Sequence, residues 1–157
     1  MINLSRINPQ LYIGTYPQNP VDLDRLKSGP KITAVLNLQT DDDFIALGID
    51  WQKIEKGYLE RDMLCQRWPI TDFSPANLEQ KLEVAATLLD RLISVGHRVY
   101  VHCTAGVGRA PAAVIGYLVW HQNMGLDEAY CFVREQRACD PYIDAIRSVH
   151  RNRNPQE

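Results

Sequence analysis

The run His102-Cys103-Thr104-Ala105-Gly106-Val107-Gly108-Arg109 sets a thiol and a guanidinium at the two ends of a glycine-containing loop. Arg98-Val99-Tyr100-Val101 just before it is β-branched and aromatic and reads as a short buried strand. Ala110 to Asn123 just after it reads as a helix with Pro111 in its first turn, where a missing N–H costs nothing. A loop from a strand end to a helix start gathers unpaired N–H groups and the positive end of the helix dipole, which is a cradle for an anion. Such surroundings favour a thiolate over a thiol, so Cys103 reads as an anionic nucleophile. Arg109 offers a planar fork matching two oxygens of a phosphoryl group and can stabilise charge in a transition state. Gly106 and Gly108 allow the close approach and unusual dihedrals that turn successive N–H groups inward. The competing reading is a buried cysteine in an ordinary strand-to-helix turn.

His-Cys, five residues, then Arg resembles the signature of the cysteine-dependent protein tyrosine phosphatase superfamily. Cys103-Thr104-Ala105-Gly106-Val107-Gly108-Arg109-Ala110-Pro111 is most similar to the loop of its dual-specificity members called glucan phosphatases, the plant starch-phosphatase and laforin group. Asp72-Phe73 upstream and Asp144-Ala145-Ile146-Arg147 downstream extend the likeness over most of the chain. The resemblance implies metal-independent, cofactor-free hydrolysis of phosphate monoesters. Residues Thr104 to Gly108 would cradle the phosphoryl group, and His102 would order the loop and help hold the thiolate. Many superfamily members carry a hydroxyl after the arginine to assist thiolate departure; here that residue is Ala110.

A leaving alkoxide or phenoxide needs a proton, so such chemistry requires a second acid near the loop. The resemblance places it on an aspartate about thirty residues before the cysteine, in a loop that follows a strand, and Asp72 fits. It would protonate the leaving oxygen and then activate the water that hydrolyses the cysteinyl-phosphate. Asp72 can also be read as a turn or cap carboxylate, because Ser74-Pro75 begins a helix. Asp41-Asp42-Asp43 reads as a solvated loop. Phe73 matches an aromatic that lines a sugar channel in the glucan phosphatases, and Tyr142 could add to it. Ala46-Leu47 and Asp140 stand where that group often carries aromatics, so the implied channel is thin. Three functions stay open: a phosphorylated-glucan phosphatase, which the resemblance favours; a phosphotyrosine and phosphoserine/threonine protein phosphatase; and a pseudophosphatase that binds phosphorylated ligands without turnover.

With 157 residues the chain is expected to form a single domain, residues 1–157, without an appended carbohydrate-binding module. A net charge of -2, with acidic and basic residues nearly balanced, gives no footprint for nucleic acid. The four cysteines lack metal-ligand spacing, and their scatter through apparent core segments points to a reducing compartment. The amino terminus does not read as a secretion signal, and Ala112 to Trp120 is too short to span a bilayer. A cytoplasmic location follows, or the plastid stroma if a transit peptide has been removed.

The remaining elements must deliver these groups. Strands are expected at Leu11–Ile13, Ile32–Leu38 and Cys65–Ile70, the last handing Asp72 to its loop. Helices are expected from Asn19-Pro20 to Lys27, over Pro75–Val95, from Leu126 to Gln136 and from Tyr142 to about Asn152, with Gly125 closing the helix after the catalytic loop. Residues 42–62 read as mixed helix and loop, residues 151–157 as a frayed tail, and Trp51, Trp68 and Trp120 as core or half-buried. Alternating strands and helices make an α/β fold with a largely parallel central sheet covered on both faces.

Overall fold

The computed structural model describes residues 1–153. Five strands, β1 (Leu4–Asn8), β2 (Leu11–Gly14), β3 (Ala34–Asn37), β4 (Leu64–Arg67) and β5 (Val99–His102), form one sheet in the order β1-β2-β5-β3-β4. β2, β5, β3 and β4 run parallel, and β1 pairs antiparallel with β2 at one edge. β1 escapes the sequence pattern because Leu4-Ser5-Arg6-Ile7-Asn8 exposes or half-buries all but one residue. β4 is the opposite edge strand and ends at Arg67, short of the expected Ile70.

The inner strands alternate strictly. Leu11, Ile13, Ala34, Leu36, Val99 and Val101 enter the larger core. Tyr12, Val35 and Tyr100 enter a smaller one on the other face. The larger core is closed by α4 (Pro75–Ser94), α5 (Arg109–His121), α6 (Leu126–Gln136) and α7 (Ile143–Arg153). The smaller is closed by α1 (Pro20–Ser28) and α3 (Trp51–Glu60). Period-two burial with apolar residues on both faces is what a parallel sheet between helical layers demands.

Several local expectations change. Asp41–Leu47 is not a solvated loop but helix α2: Thr40 Oγ1 accepts from the Asp43 N–H while the Asp43 carboxylate accepts from the Thr40 N–H. Reciprocal capping removes two orphan donors, which is why an acidic run can start a helix. α5 ends at His121, before Gly125, which instead caps the start of α6. Cys103 is buried, Cys65 and Cys139 are half-buried against the smaller and the larger core, and Cys131 is exposed. α7 runs through Arg153, past the start of the expected frayed tail, and residues 154–157 lie outside the described part. Asn19 and Pro20 open α1 as expected, and all three tryptophans are half-buried.

Candidate active site

β5 ends in the middle of the sheet and α5 starts where it ends, so the intervening loop lies at the carboxyl ends of parallel strands, where open α/β sheets bind ligands. Side chains cap α1 to α4 at their first turns. α5 follows Gly108 at its N-cap with no side-chain cap, leaving its first N–H groups for an anion.

Every carbonyl of the loop is engaged from outside. Cys103 O accepts from His102 Nδ1 at 2.9 Å, and Thr104 O from the Tyr16 N–H at 3.2 Å. Ala105 O and Gly106 O accept from Arg137 at 3.1 and 2.7 Å. Val107 O accepts from the Asp140 N–H at 2.9 Å and Gly108 O from the Ala112 N–H at 3.1 Å. In a trans peptide the next N–H points opposite to the carbonyl, so the N–H groups of residues 104–109 face inward. None of the six donates to a protein acceptor among the described residues. Gly106 closes this ring at a φ of 68°, and a Cβ there would sit 2.7 Å from both Arg137 Nη2 and Gly14 O. Glycine is required on both counts.

Arg109 is 4% exposed and its two edges differ. Nη1 is anchored, donating to Asp43 Oδ2 at 2.7 Å and to Ile70 O at 2.8 Å. Nη2 reaches Thr104 Oγ1 and Asp72 Oδ2 only at 3.3 Å, and Nε, though buried, has no partner. The Nε–Nη2 edge is therefore the less engaged one, a fork whose geometry matches two oxygens of an anion. Burial alone would raise the Asp43 carboxyl, but hydrogen bonds from Arg109 and Thr40, with the guanidinium charge, hold it below the usual carboxylate range. Gln39, also buried, donates through Nε2 to Thr104 Oγ1 at 3.1 Å and so fixes the hydroxyl beside Arg109.

Cys103, Arg109, Asp72, Phe73 and Tyr142 come together with Ala105, Val107, Gly108 and Asp140 around a pocket of about 370 Å³. Asp72 sits at the rim with its side chain 35% exposed, and its Oδ1 accepts from the Phe73 N–H at 3.1 Å. It caps no helix: Ser74 Oγ does so, accepting from the Asn77 N–H, while Asn77 Oδ1 accepts from the Thr71 N–H. The start of α4 thus pins the chain on both sides of Asp72. Phe73 is 83% exposed and holds a φ of 56°. His102 and Thr104 do not line this pocket; they support the loop from behind.

Since a carbonyl can only accept, the bond to Cys103 O puts the His102 proton on Nδ1. Burial pushes the imidazole down to about 4, against the bond to Cys103 O and with help from the Arg109 charge. The unfolded ring takes a proton near 6.5, so the stabilisation from burying it neutral is complete above that pH and is lost as pH falls from 6.5 toward 4. His102→Asn is expected to remove this contribution, flattening the pH dependence of unfolding free energy by up to about 1.4 kcal/mol per pH unit in that window. Urea unfolding of both proteins across it checks this, and identical slopes would refute it.

Three groups here were not read from the sequence. Asp43 was hidden in an acidic run, though Thr40-x-x-Asp43 is a capping spacing. Gln39 and Arg137 carry no local signal, since their contacts lie 65 and more than 130 residues away, at Thr104 and at Asn3 and Ser5.

An ionisable sulfur at the floor of six inward N–H groups, a buried guanidinium beside it and a carboxyl at the rim define a cysteine-dependent phosphoryl-transfer class of site. The catalytic-domain model of the dual specificity phosphatases matches residues 11–149, and the chain belongs to that family. It is 39% identical over 142 residues to the chloroplastic phosphoglucan phosphatase LSF1 of Arabidopsis thaliana, covering 90% of this chain and 24% of that protein. It is 36% identical over 150 residues to the amyloplastic phosphoglucan phosphatase DSP4 of Castanea sativa, covering 94% of this chain and 40% of that one. The chain thus spans less than half the length of these curated relatives. The crystal structure of PTPMT1 superposes with a TM-score of 0.78 at 18% identity over 98% of this chain and 97% of that one, a likeness of fold.

Proposed function

We propose that the chain acts as a single catalytic domain that hydrolyses phosphate monoesters of glucan through a cysteinyl-phosphate intermediate. The Cys103 thiolate attacks phosphorus, the ester P–O bond breaks, and Asp72 delivers a proton to the leaving sugar oxygen. Water then attacks the phosphorus of the cysteinyl-phosphate, the P–S bond breaks, and the Asp72 carboxylate takes the water's proton. Residues 104–109 hold the phosphoryl oxygens with their N–H groups and Arg109 closes the fork. The observation that carries this is the pairing of six unclaimed N–H groups with the unpartnered Nε of Arg109 around Cys103.

Glucan is supported by the rim. Phe73, almost fully exposed, keeps a backbone conformation costly for a non-glycine residue, and such strain persists where function holds it. With Tyr142, 40% exposed across the same pocket, it offers apolar faces to a sugar ring. The names of the two relatives point the same way. A phosphoprotein is the second reading, since Asp140 takes part of the rim and leaves only two aromatics there. A third reading, a phospho-ligand-binding protein without turnover, predicts no hydrolysis of an aryl phosphate, and measured turnover of that ester would exclude it. A cytoplasmic or plastid-stromal location suits a glucan substrate.

Phosphate release from phosphorylated amylopectin, measured beside a phosphotyrosine peptide, decides the substrate; turnover of the peptide with inert glucan would defeat the first reading. Phe73→Ala is expected to lower kcat/KM on the glucan about tenfold, the worth of one aromatic contact. It should leave para-nitrophenyl phosphate within about twofold. An equal loss on both would show that Phe73 acts on the chemistry and not on the sugar.

A further inference from the structure

Arg137 is buried at the carboxyl end of α6, yet no carboxylate lies within ion-pair distance of it among the described residues. Its donors all go to neutral acceptors. Nε and Nη2 hold Gly106 O and Ala105 O, and Nη1 holds Asn3 Oδ1 at 2.8 Å and Ser5 Oγ at 3.1 Å. Asp22, buried nearer the amino terminus, is engaged by the Ile2 and Gln18 N–H groups. Arginine stays protonated in a protein, and a buried charge without a counter-ion is expensive. Arg109 is the opposite case, one cation facing the two carboxylates Asp43 and Asp72.

We propose that Arg137 is a positioning residue whose missing counter-ion is the anion in the cradle: the Cys103 thiolate in the free protein and the phosphoryl group in the complex. The inference rests on the reading that this loop binds phosphoryl groups. Arg137 never touches the substrate. By drawing the carbonyls of Ala105 and Gly106 outward it turns the N–H groups of Gly106 and Val107 inward, and its charge adds to the field of those two dipoles. Its other end is fixed to residues 3–5, so the edge strand β1 sets where the guanidinium sits.

Tungstate affinity by calorimetry, the alkylation rate of Cys103 by iodoacetamide, and thermal midpoints test this on wild type, Arg137→Lys and Arg137→Gln. Lysine keeps the charge and loses the fork; glutamine keeps hydrogen bonding and loses the charge. Tungstate affinity is expected to fall about threefold with lysine and by more than about tenfold with glutamine, with alkylation slowing in the same order. Should glutamine bind tungstate as well as lysine does, or either variant match wild type, the charge assignment is overturned. Asn3→Ala with Ser5→Ala leaves Arg137 and the loop in place and covers the case in which glutamine unfolds the protein. A drop of about threefold in tungstate affinity at an unchanged thermal midpoint supports the anchoring, and no drop overturns it. A wild-type protein that binds no tungstate would instead defeat the phosphoryl-binding reading itself.

Discussion

Cys103→Ser is expected to cut phosphate release by roughly four orders of magnitude or more, from aryl phosphate and phosphoglucan alike, while tungstate binds at least as tightly as before. The size follows from the chemistry: a serine hydroxyl is not ionised at working pH, and no base is positioned to take its proton. The imidazole of His102 faces away, its Nδ1 donating to Cys103 O and its Nε2 buried without a partner. Asp72 sits at the rim of the pocket, beside Arg109 Nη2 and the Phe73 N–H. Binding survives because its donors are main-chain N–H groups of residues 104–109 and the guanidinium of Arg109, none of which the substitution removes. Single-turnover phosphate release, with calorimetric titration of tungstate into the same preparation, measures both halves. Residual turnover within tenfold of wild type would place the nucleophile elsewhere. Loss of tungstate binding would show that the thiolate, and not the amides, organises the loop.

The contrast between Arg109 and its supports shows what a sequence can carry. Cys103, Arg109 and the glycines of the loop are legible because one short segment fixes their geometry: a strand end, a turn and a helix start leave few ways to arrange the N–H groups. The two-sided apolar strands announced the parallel sheet for a similar reason, since burial on both faces writes itself into every residue of β3 and β5. Asp43, Gln39 and Arg137 act across distances the chain does not encode locally. Asp43 looked like solvated charge until the folding of α2 turned its carboxylate toward Arg109. Arg137 at a helix end looks like any surface cation, and only the packing of β1 and the loop around it removes it from water. Even β1 was silent, being an edge strand whose polar residues resemble a loop.

Asp72→Ala is expected to lower the rate on phosphoglucan by roughly a hundredfold or more and the rate on para-nitrophenyl phosphate much less, because the two leaving groups need the proton unequally. A sugar alkoxide is a strong base and departs poorly without protonation, whereas a nitrophenolate leaves almost unaided. The placement of Asp72 suits this task. Ser74 supplies the cap of α4, so the carboxylate is not needed there. Its Oδ1 accepts from the Phe73 N–H, which fixes its direction over the pocket. Its Oδ2 stands 3.3 Å from Arg109 Nη2, a contact that a phosphoryl oxygen arriving at the same nitrogen would replace, leaving that carboxyl oxygen beside the ester. The stability cost of the substitution is therefore small, since the lost ion pair is long and partly exposed. The measurement is a plot of rate against leaving-group basicity for wild type and variant: a steeper dependence in the variant assigns the acid to Asp72. Parallel plots, or an undiminished rate on the glucan ester, would move that role to another group and return Asp72 to a turn carboxylate.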